Sequence, residues 1–321
     1  MEAEALHSRR EARRRAIRRR RLAVAGLIAA VLVAVAVVLA TRSGGSSEPA
    51  ARRTQSANSI HRTEPGRTAS PGAASATAAT GRPGTGSVPI LMYHVIAAPP
   101  AGAPFPGLYV TPSEFAAQMQ ALKDAGWHAV TLDQVEAYWR EGAPLGPGRP
   151  IVLSFDNGYQ SQYTQALPVL RRLGWVGDEN IQLTGLPPSQ GGLSQSQVRG
   201  LLAAGWELDT QGVSHADLIT LDSQQLRYQV AGARAVLKQR YQVPVNWFCY
   251  PSGHYDATVI AAVRAAGYSG STTVVPGWAH RNDDPYRLHR LRVLGGTSPQ
   301  ALLGELDGIR ADPPPGPSYI T

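Results

Sequence analysis

From Val88 to about Leu303 the chain alternates short apolar runs with longer segments whose apolar positions recur every three or four residues. "VPILMYH", "WHAVTL", "IVLSF", "NIQLTG", "WELDTQ", "NWFCY", "GSTTVV" and "HRLRVL" read as strands. The segments between them read as helices, among them "TPSEFAAQMQALKDAG", where Thr111 is an N-cap, Pro112 opens the first turn and Glu114 completes a capping box. Runs such as Ile151, Val152 and Leu153, with no alternating polar partner, suit strands covered on both faces. Strand then helix, repeated six or seven times over roughly 215 residues, predicts an α/β fold around a parallel sheet. A distorted (β/α) barrel of seven or eight strands fits best, with an open doubly wound sheet as the alternative. No Gly-x-Gly-x-x-Gly or phosphate-loop sequence follows the first strand, which weakens the open-sheet nucleotide-binding reading.

The N-terminal part has a different pattern. Residues 1–21 are arginine-dense and expected to be cytoplasmic, and Leu22 to Ala40 carries no charge and no proline. A helix of that length spans about 28 Å, close to the hydrocarbon thickness of a bilayer, and it is longer than the apolar core of a signal peptide. The expectation is a single-pass plasma-membrane anchor with everything after Thr41 outside the cell. Residues 41–87, rich in Ala, Ser, Thr, Gly, Pro and Arg, cannot bury a core and are expected to be a disordered tether. The folded domain is expected over 88–312, followed by a loose Pro-rich tail, 313–321. The formal net charge of +8 resides in the anchor and tether, because residues 88–321 hold slightly more acidic than basic side chains. A near-neutral domain without a basic stripe excludes nucleic acid as the expected partner. Cys249 is the lone cysteine, so no intrachain disulfide can form; it reads as a small buried hydrophobe.

The chemistry-bearing residues cluster at strand ends. "IVLSFDNGY" delivers Asp156, Asn157 and Gly158 to the carboxyl end of a buried strand, where α/β folds gather catalytic groups. Asp-Asn-Gly is equally a good turn sequence, and locally both readings stand.

Taken in order, "VPILMYHVI", "ALKDAGWHAVTL", "IVLSFDNGY", "GWELDTQGVSH" with "ADLITL", and "FCYPSGHYDATVIAAVRAAGYSGSTT" resemble the polysaccharide deacetylases with a NodB-homology domain, carbohydrate esterase family four. The resemblance spans nearly all of Val88 to Val293. It implies a deformed barrel that removes N-acetyl groups from amino sugars of chitin-like or cell-wall glycans with a divalent metal, zinc or similar. The family's Phe-Asp-Asp-Gly motif supplies a general base, matched by Asp156, and a metal ligand, where this chain has Asn157. Its Gly-Ser-His-x-x-x-His motif supplies two imidazole ligands; here Gln211 stands for the first and His215 for the second. "YPSG" matches the loop whose Tyr, here Tyr250, lends a backbone N–H to the developing oxyanion.

Two neutral amides and one imidazole give a cation no charge compensation, so the expected metal site is weakened. Asp209, two residues before Gln211 on the same strand face, could return a carboxylate beside His215, and His254, in the "YPSGHYD" loop, and His94, ending the first strand, are further imidazoles expected toward the same mouth. "DENI", Asp178 to Ile181, is an unexpectedly polar strand; its Asp178 and Glu179 either face the mouth or precede the strand. His289 is the nearest candidate for a late general acid. Of six tryptophans, Trp278, in the loop "VVPGWAHRNDDPYR", is the one placed outside the core, on the substrate side. The expected function is a membrane-anchored extracytoplasmic carbohydrate N-deacetylase, with a catalytically silent glycan-binding domain as the alternative. In the first reading Asp156 activates water, His215 orients it, and Asn157 and Gln211 line the substrate pocket.

Overall fold

The computed structural model describes residues 81–186 and 191–311. The expected anchor and the Pro-rich tail lie outside the described residues. Among the described residues no helix is long and apolar enough to cross a membrane.

Eight parallel strands form one curled sheet: β1 (Ile90–Tyr93), β2 (Trp127–Val130), β3 (Arg149–Asn157), β4 (Asp178–Ile181), β5 (Glu207–Thr210), β6 (Trp247–Cys249), β7 (Gly270–Thr272) and β8 (Leu291–Arg292). The order is β7-β6-β5-β4-β3-β1-β8, with β2 paired to β3. β3 is the long central strand; β1 lies along one side of it, while β2 and then β4 share the other, in register from Arg149 to Val152 and from Ser154 to Asn157. Leu291 pairs with Leu91 of β1 while Leu288, three residues earlier, bridges Thr272 of β7. One short segment therefore ties the two edges of the sheet together, giving a deformed barrel and setting aside the open-sheet alternative.

Helices α1 (Pro112–Asp124), α2 (Leu132–Glu141), α3 (Leu167–Leu173), α4 (Gln195–Ala203), α5 (Ser223–Arg227), α6 (Ala233–Tyr241), α7 (Ala257–Ala265) and α8 (Pro299–Ala311) surround the sheet. The capping box at Thr111 and Glu114 is formed as expected, and Thr131 with Gln134 and Ser194 with Gln197 repeat it. Outward-facing Leu91, Tyr93, Leu153 and Phe155 pack under α1 and α3, and Leu208, Phe248 and Tyr250 pack under α4, α6 and α7. Inside, Ile90, Val152, Trp247 and Leu288 plug the end of the barrel opposite the mouth.

Three expectations are corrected. Residues 81–87, assigned to the tether, are seated on α2: Gly84 N–H donates to Tyr138 O at 2.9 Å and Trp139 Nε1 to Gly86 O at 2.8 Å. Trp278 is a core residue, 6% exposed, packed edge-on to Trp127 with its indole N–H on Leu306 O. β4 begins at Asp178, so Asp178 and Glu179 neither precede the strand nor reach the mouth, and both are buried.

Candidate active site

The strand-end tripeptide is both a turn and a site edge. Asn157 and Gly158 take φ values of 80° and 87°, a left-handed pair that reverses the chain, and a Cβ on Gly158 would stand 2.8 Å from Ile181 Cγ1. Just before this turn, Asp156 points into the barrel and is 1% exposed.

Asp156 is held by a group that sequence reasoning missed. Arg290 donates to it through two parallel bonds, Nη1 to Oδ1 at 2.7 Å and Nη2 to Oδ2 at 2.9 Å. The same guanidinium reaches Ser154 Oγ at 3.0 Å, Cys249 Sγ at 3.2 Å and, through Nε, Thr273 O at 2.8 Å. All five of its N–H donors are thus used. Asn180 Nδ2 adds a bond to Asp156 Oδ1 at 2.9 Å, and the Cys249 thiol contacts Oδ2 at 3.4 Å. Cys249 is buried as expected, yet it serves this polar cluster, and burial pushes its thiol up to about 12. Burial alone would raise the Asp156 carboxyl, but the Arg290 charge and hydrogen bonds, with His94 and Asn180, bring it down to about 2. The signal for Arg290 was in "HRLRV": Arg290 and Arg292 alternate with apolar Leu291 and Val293, so both share one strand face.

Above this pair opens a pocket of about 680 Å³, whose wall includes His94, Asp156, Asn157, Gln211, His215 and Tyr250. Tyr109, Gln182 and Arg292 also line it. His94 Nε2 lies 3.9 Å from Asp156 Oδ2. Burial lowers the His94 imidazole to about 4 against the opposing pull of Asp156, and His215 is lowered by burial as well, so both rings are neutral near pH 7. Three buried polar atoms of this wall have no partner among the described residues: His94 Nδ1, Tyr109 Oη and Gln211 Oε1. Underneath, Gln162 at the start of a π-turn (Gln162–Ala166) donates to the backbone carbonyls of His94 and Asp156, fixing both strand ends.

The structure brings together Asp156, Asn157, Gln211, His215, Tyr250 and His94. Asp209 and His254 stand elsewhere. Asp209 is fully buried two residues below Gln211, with Oδ1 accepting from Trp247 N–H at 2.8 Å. His254 pairs with Asp217 at 3.0 Å outside the pocket wall, and His289 lies outside it too. Tyr250 N–H, the expected oxyanion donor, makes only a long bond of 3.4 Å to Thr272 O, and the Tyr250 phenol bonds Tyr286 O.

A divalent ion between Asn157, Gln211 and His215 does not fit this donor set. Asn157, whose Nδ2 donates to Gln182 Oε1 at 2.7 Å, offers an ion only a neutral amide oxygen, and Asp156, the carboxylate on this wall, is gripped at both oxygens by Arg290. What remains is neutral imidazoles and amide oxygens, without charge to offset the ion's dehydration.

Residues 145–271 match the family model described as polysaccharide deacetylase. Over these residues the chain is similar to the polysaccharide deacetylases, and its relatives and structural neighbours carry the same description. It is 27% identical over 224 residues to YxkH of Bacillus subtilis (strain 168), itself assigned to the polysaccharide deacetylases, covering 70% of this chain and 77% of that one. A stretch of 58 residues is 40% identical to the poly-beta-1,6-N-acetyl-D-glucosamine N-deacetylase of Escherichia coli (strain K12), 18% of this chain and 8% of that protein. Among solved structures, the deacetylase PplD of Streptococcus pyogenes, in complex with acetate, superposes with a TM-score of 0.63 at 25% identity, over 69% of this chain and 99% of that one. The polysaccharide deacetylase fold of this family is therefore the fold of residues that carry the pocket.

Proposed function

We propose that this protein is an N-deacetylase of amino-sugar glycans, held at the outer face of the plasma membrane by Leu22–Ala40. The observation that carries the reading is the convergence of two neutral imidazoles, His94 and His215, on one pocket whose base is the Arg290–Asp156 pair. A relative solved with acetate, the product such a reaction releases, supports it.

The chemistry follows from the charges. Asp156, with four donors on its two oxygens and a carboxyl held at about 2, is a poor proton acceptor; it is a positioning residue that favours positive charge on a neighbouring imidazole. In the proposed step water attacks the acetyl carbonyl carbon and its proton passes to His215. Tyr250 N–H faces the carbonyl oxygen as negative charge builds there. The imidazolium then returns the proton to the sugar nitrogen as the C–N bond breaks, leaving acetate and a free amine. Unpartnered Tyr109 Oη and Gln211 Oε1 would hold sugar hydroxyl and amide groups. Acetate release from N-acetylglucosamine oligomers by the full chain, reduced at least about 100-fold in His215→Ala, is the expected result. Unchanged release in both His215→Ala and Asp156→Asn would remove the site assignment.

A second reading, glycan binding without turnover, is favoured by the amides at Asn157 and Gln211, which offer donors and acceptors without charge. Glycan affinity with no acetate release would select it. The anchor has its own test: the full chain should sediment with membranes and a chain lacking residues 1–40 should not.

A further inference from the structure

Inside the barrel, outside the pocket wall, three carboxylates meet on β4 and β5. Asp178 on β4 and Glu207 and Asp209 on β5 each bring an oxygen to within 4.8 Å of the others. Each carboxylate is anchored by one backbone N–H. Leu132 N–H donates to Asp178 Oδ2 at 2.9 Å and Asp133 N–H to Glu207 Oε2 at 2.9 Å, both from the first turn of α2; Trp247 N–H donates to Asp209 Oδ1 at 2.8 Å. The second oxygens, Asp178 Oδ1, Glu207 Oε1 and Asp209 Oδ2, are buried, and among the described residues no N–H or hydroxyl donor reaches them; Glu207 and Asp209 lie close enough to share a proton with each other. Asp178 and Asp209 are fully buried, and Glu207, partly exposed as a residue, has its free carboxylate oxygen buried.

Charge makes this arrangement costly as it stands. The groups that act on the three are one another and Asp133, all acids, and among the described residues no basic side chain forms an ion pair with any of them. Backbone dipoles at a helix N-terminus favour one negative charge by about 1 kcal/mol, far short of what three buried carboxylates need. Either protons or a cation must complete the site.

We propose that Asp178, Glu207 and Asp209 form a structural site for a divalent cation of the calcium type, distinct from the catalytic pocket. Calcium–oxygen bonds of about 2.3–2.6 Å place opposed ligand oxygens up to about 5 Å apart, so one ion can touch an oxygen of each of the three carboxylates. The all-oxygen donor set selects calcium, magnesium or manganese over zinc. Backbone anchoring of each partner oxygen fixes the other in place, the supporting role that outer-shell bonds have at metal sites. A bound ion would join β4, β5 and the start of α2.

The test uses terbium, a calcium surrogate, on the full chain, exciting tryptophan; Trp247 bonds both Asp209 and Asp133 and stands next to the site. The expected result is one terbium per chain, displaced by calcium. Sensitised emission should fall at least tenfold in Asp178→Asn and Asp209→Asn, substitutions that keep the acceptor for the backbone N–H, and persist in His215→Ala. Trp247→Phe, which leaves the ligands in place, should dim the emission without weakening binding, so the location remains testable if an aspartate variant fails to fold. No saturable terbium binding, with carboxyl protons holding the three groups instead, overturns the proposal. Binding lost in His215→Ala but kept in the aspartate variants, or emission unaltered by Trp247→Phe, also overturns it.

Discussion

His94 Nε2 stands 3.9 Å from Asp156 Oδ2, while its other ring nitrogen, buried, has no partner among the described residues. The ring is thus placed to be protonated and yet is kept neutral, because burial outweighs the attraction of Asp156.

The consequence is a stability that depends on mildly acidic pH. An ordinary histidine titrates near 6.5 and His94 in the folded chain at about 4, so the unfolded chain takes up this proton first as pH falls. Stability is then fully present above about 6.5 and is lost progressively down to about 4, by roughly 3 kcal/mol for a shift of this size. Urea denaturation of the wild type and of His94→Gln between pH 4 and 7 should show the slope flattened in the variant; an unaltered slope would assign it to other groups.

The Arg290–Asp156 pair should couple energetically. Arg290→Met leaves a buried carboxylate with its strongest partners gone and should cost about 3–5 kcal/mol. Asp156→Asn strands the guanidinium and should cost a similar amount. The double variant, with neither charge, should be more stable than the sum of the two losses by more than 1 kcal/mol in roughly the manner of other coupled neighbours, as measured by denaturant midpoints.

Restoring charge and imidazole at the mouth should restore metal affinity there. Asn157→Asp with Gln211→His gives His215 a carboxylate and a second ring, and Asp tolerates the positive φ of 80° at that position. The amide bond from Asn157 to Gln182 is lost, at a cost of about 1 kcal/mol. Calorimetric titration with cobalt or zinc should change from no mouth-site binding to stoichiometric binding that disappears with His215→Ala. Acetate release should rise with metal; a double variant that folds and ignores cobalt would show that the pocket geometry has drifted as well as its donors.

Gly158→Ala should loosen the pocket edge. The added Cβ would approach Ile181 Cγ1 to 2.8 Å at a φ of +87°, so about 1–3 kcal/mol of stability should be lost, read as a lower melting temperature.

Much of the frame could be read before any coordinates. The unbroken apolar run of β3 and the Thr111 capping box are local patterns, and local physics fixes them. Asp178 and Glu179 were less legible, because a polar strand says that carboxylates are buried without saying at what height in the barrel. Asp178 turns inward toward Glu207 and Asp209. Glu179 alternates to the other face, its two oxygens buried without partners and its carboxyl raised well above the ordinary range by burial and then by Asp156. Arg290 was hidden differently: "HRLRV" shows two arginines on one face, but only closure of the sheet reveals that their target is Asp156, 134 positions earlier in the chain. Residues 81–87 look like tether by composition, and only contact with Tyr138 and Trp139 gives them a place.

The shortness of β8 has a final consequence. A strand of two residues contributes few ladder bonds, yet it is where the sheet meets itself. Arg290, immediately before it, reaches Ser154 and Asp156 on β3, Cys249 on β6 and Thr273 just past β7. It acts as a rivet through a seam that the backbone closes at only a few residues. The base of the pocket therefore depends on closure of the barrel, because the Arg290–Asp156 pair spans the strands that the seam brings together.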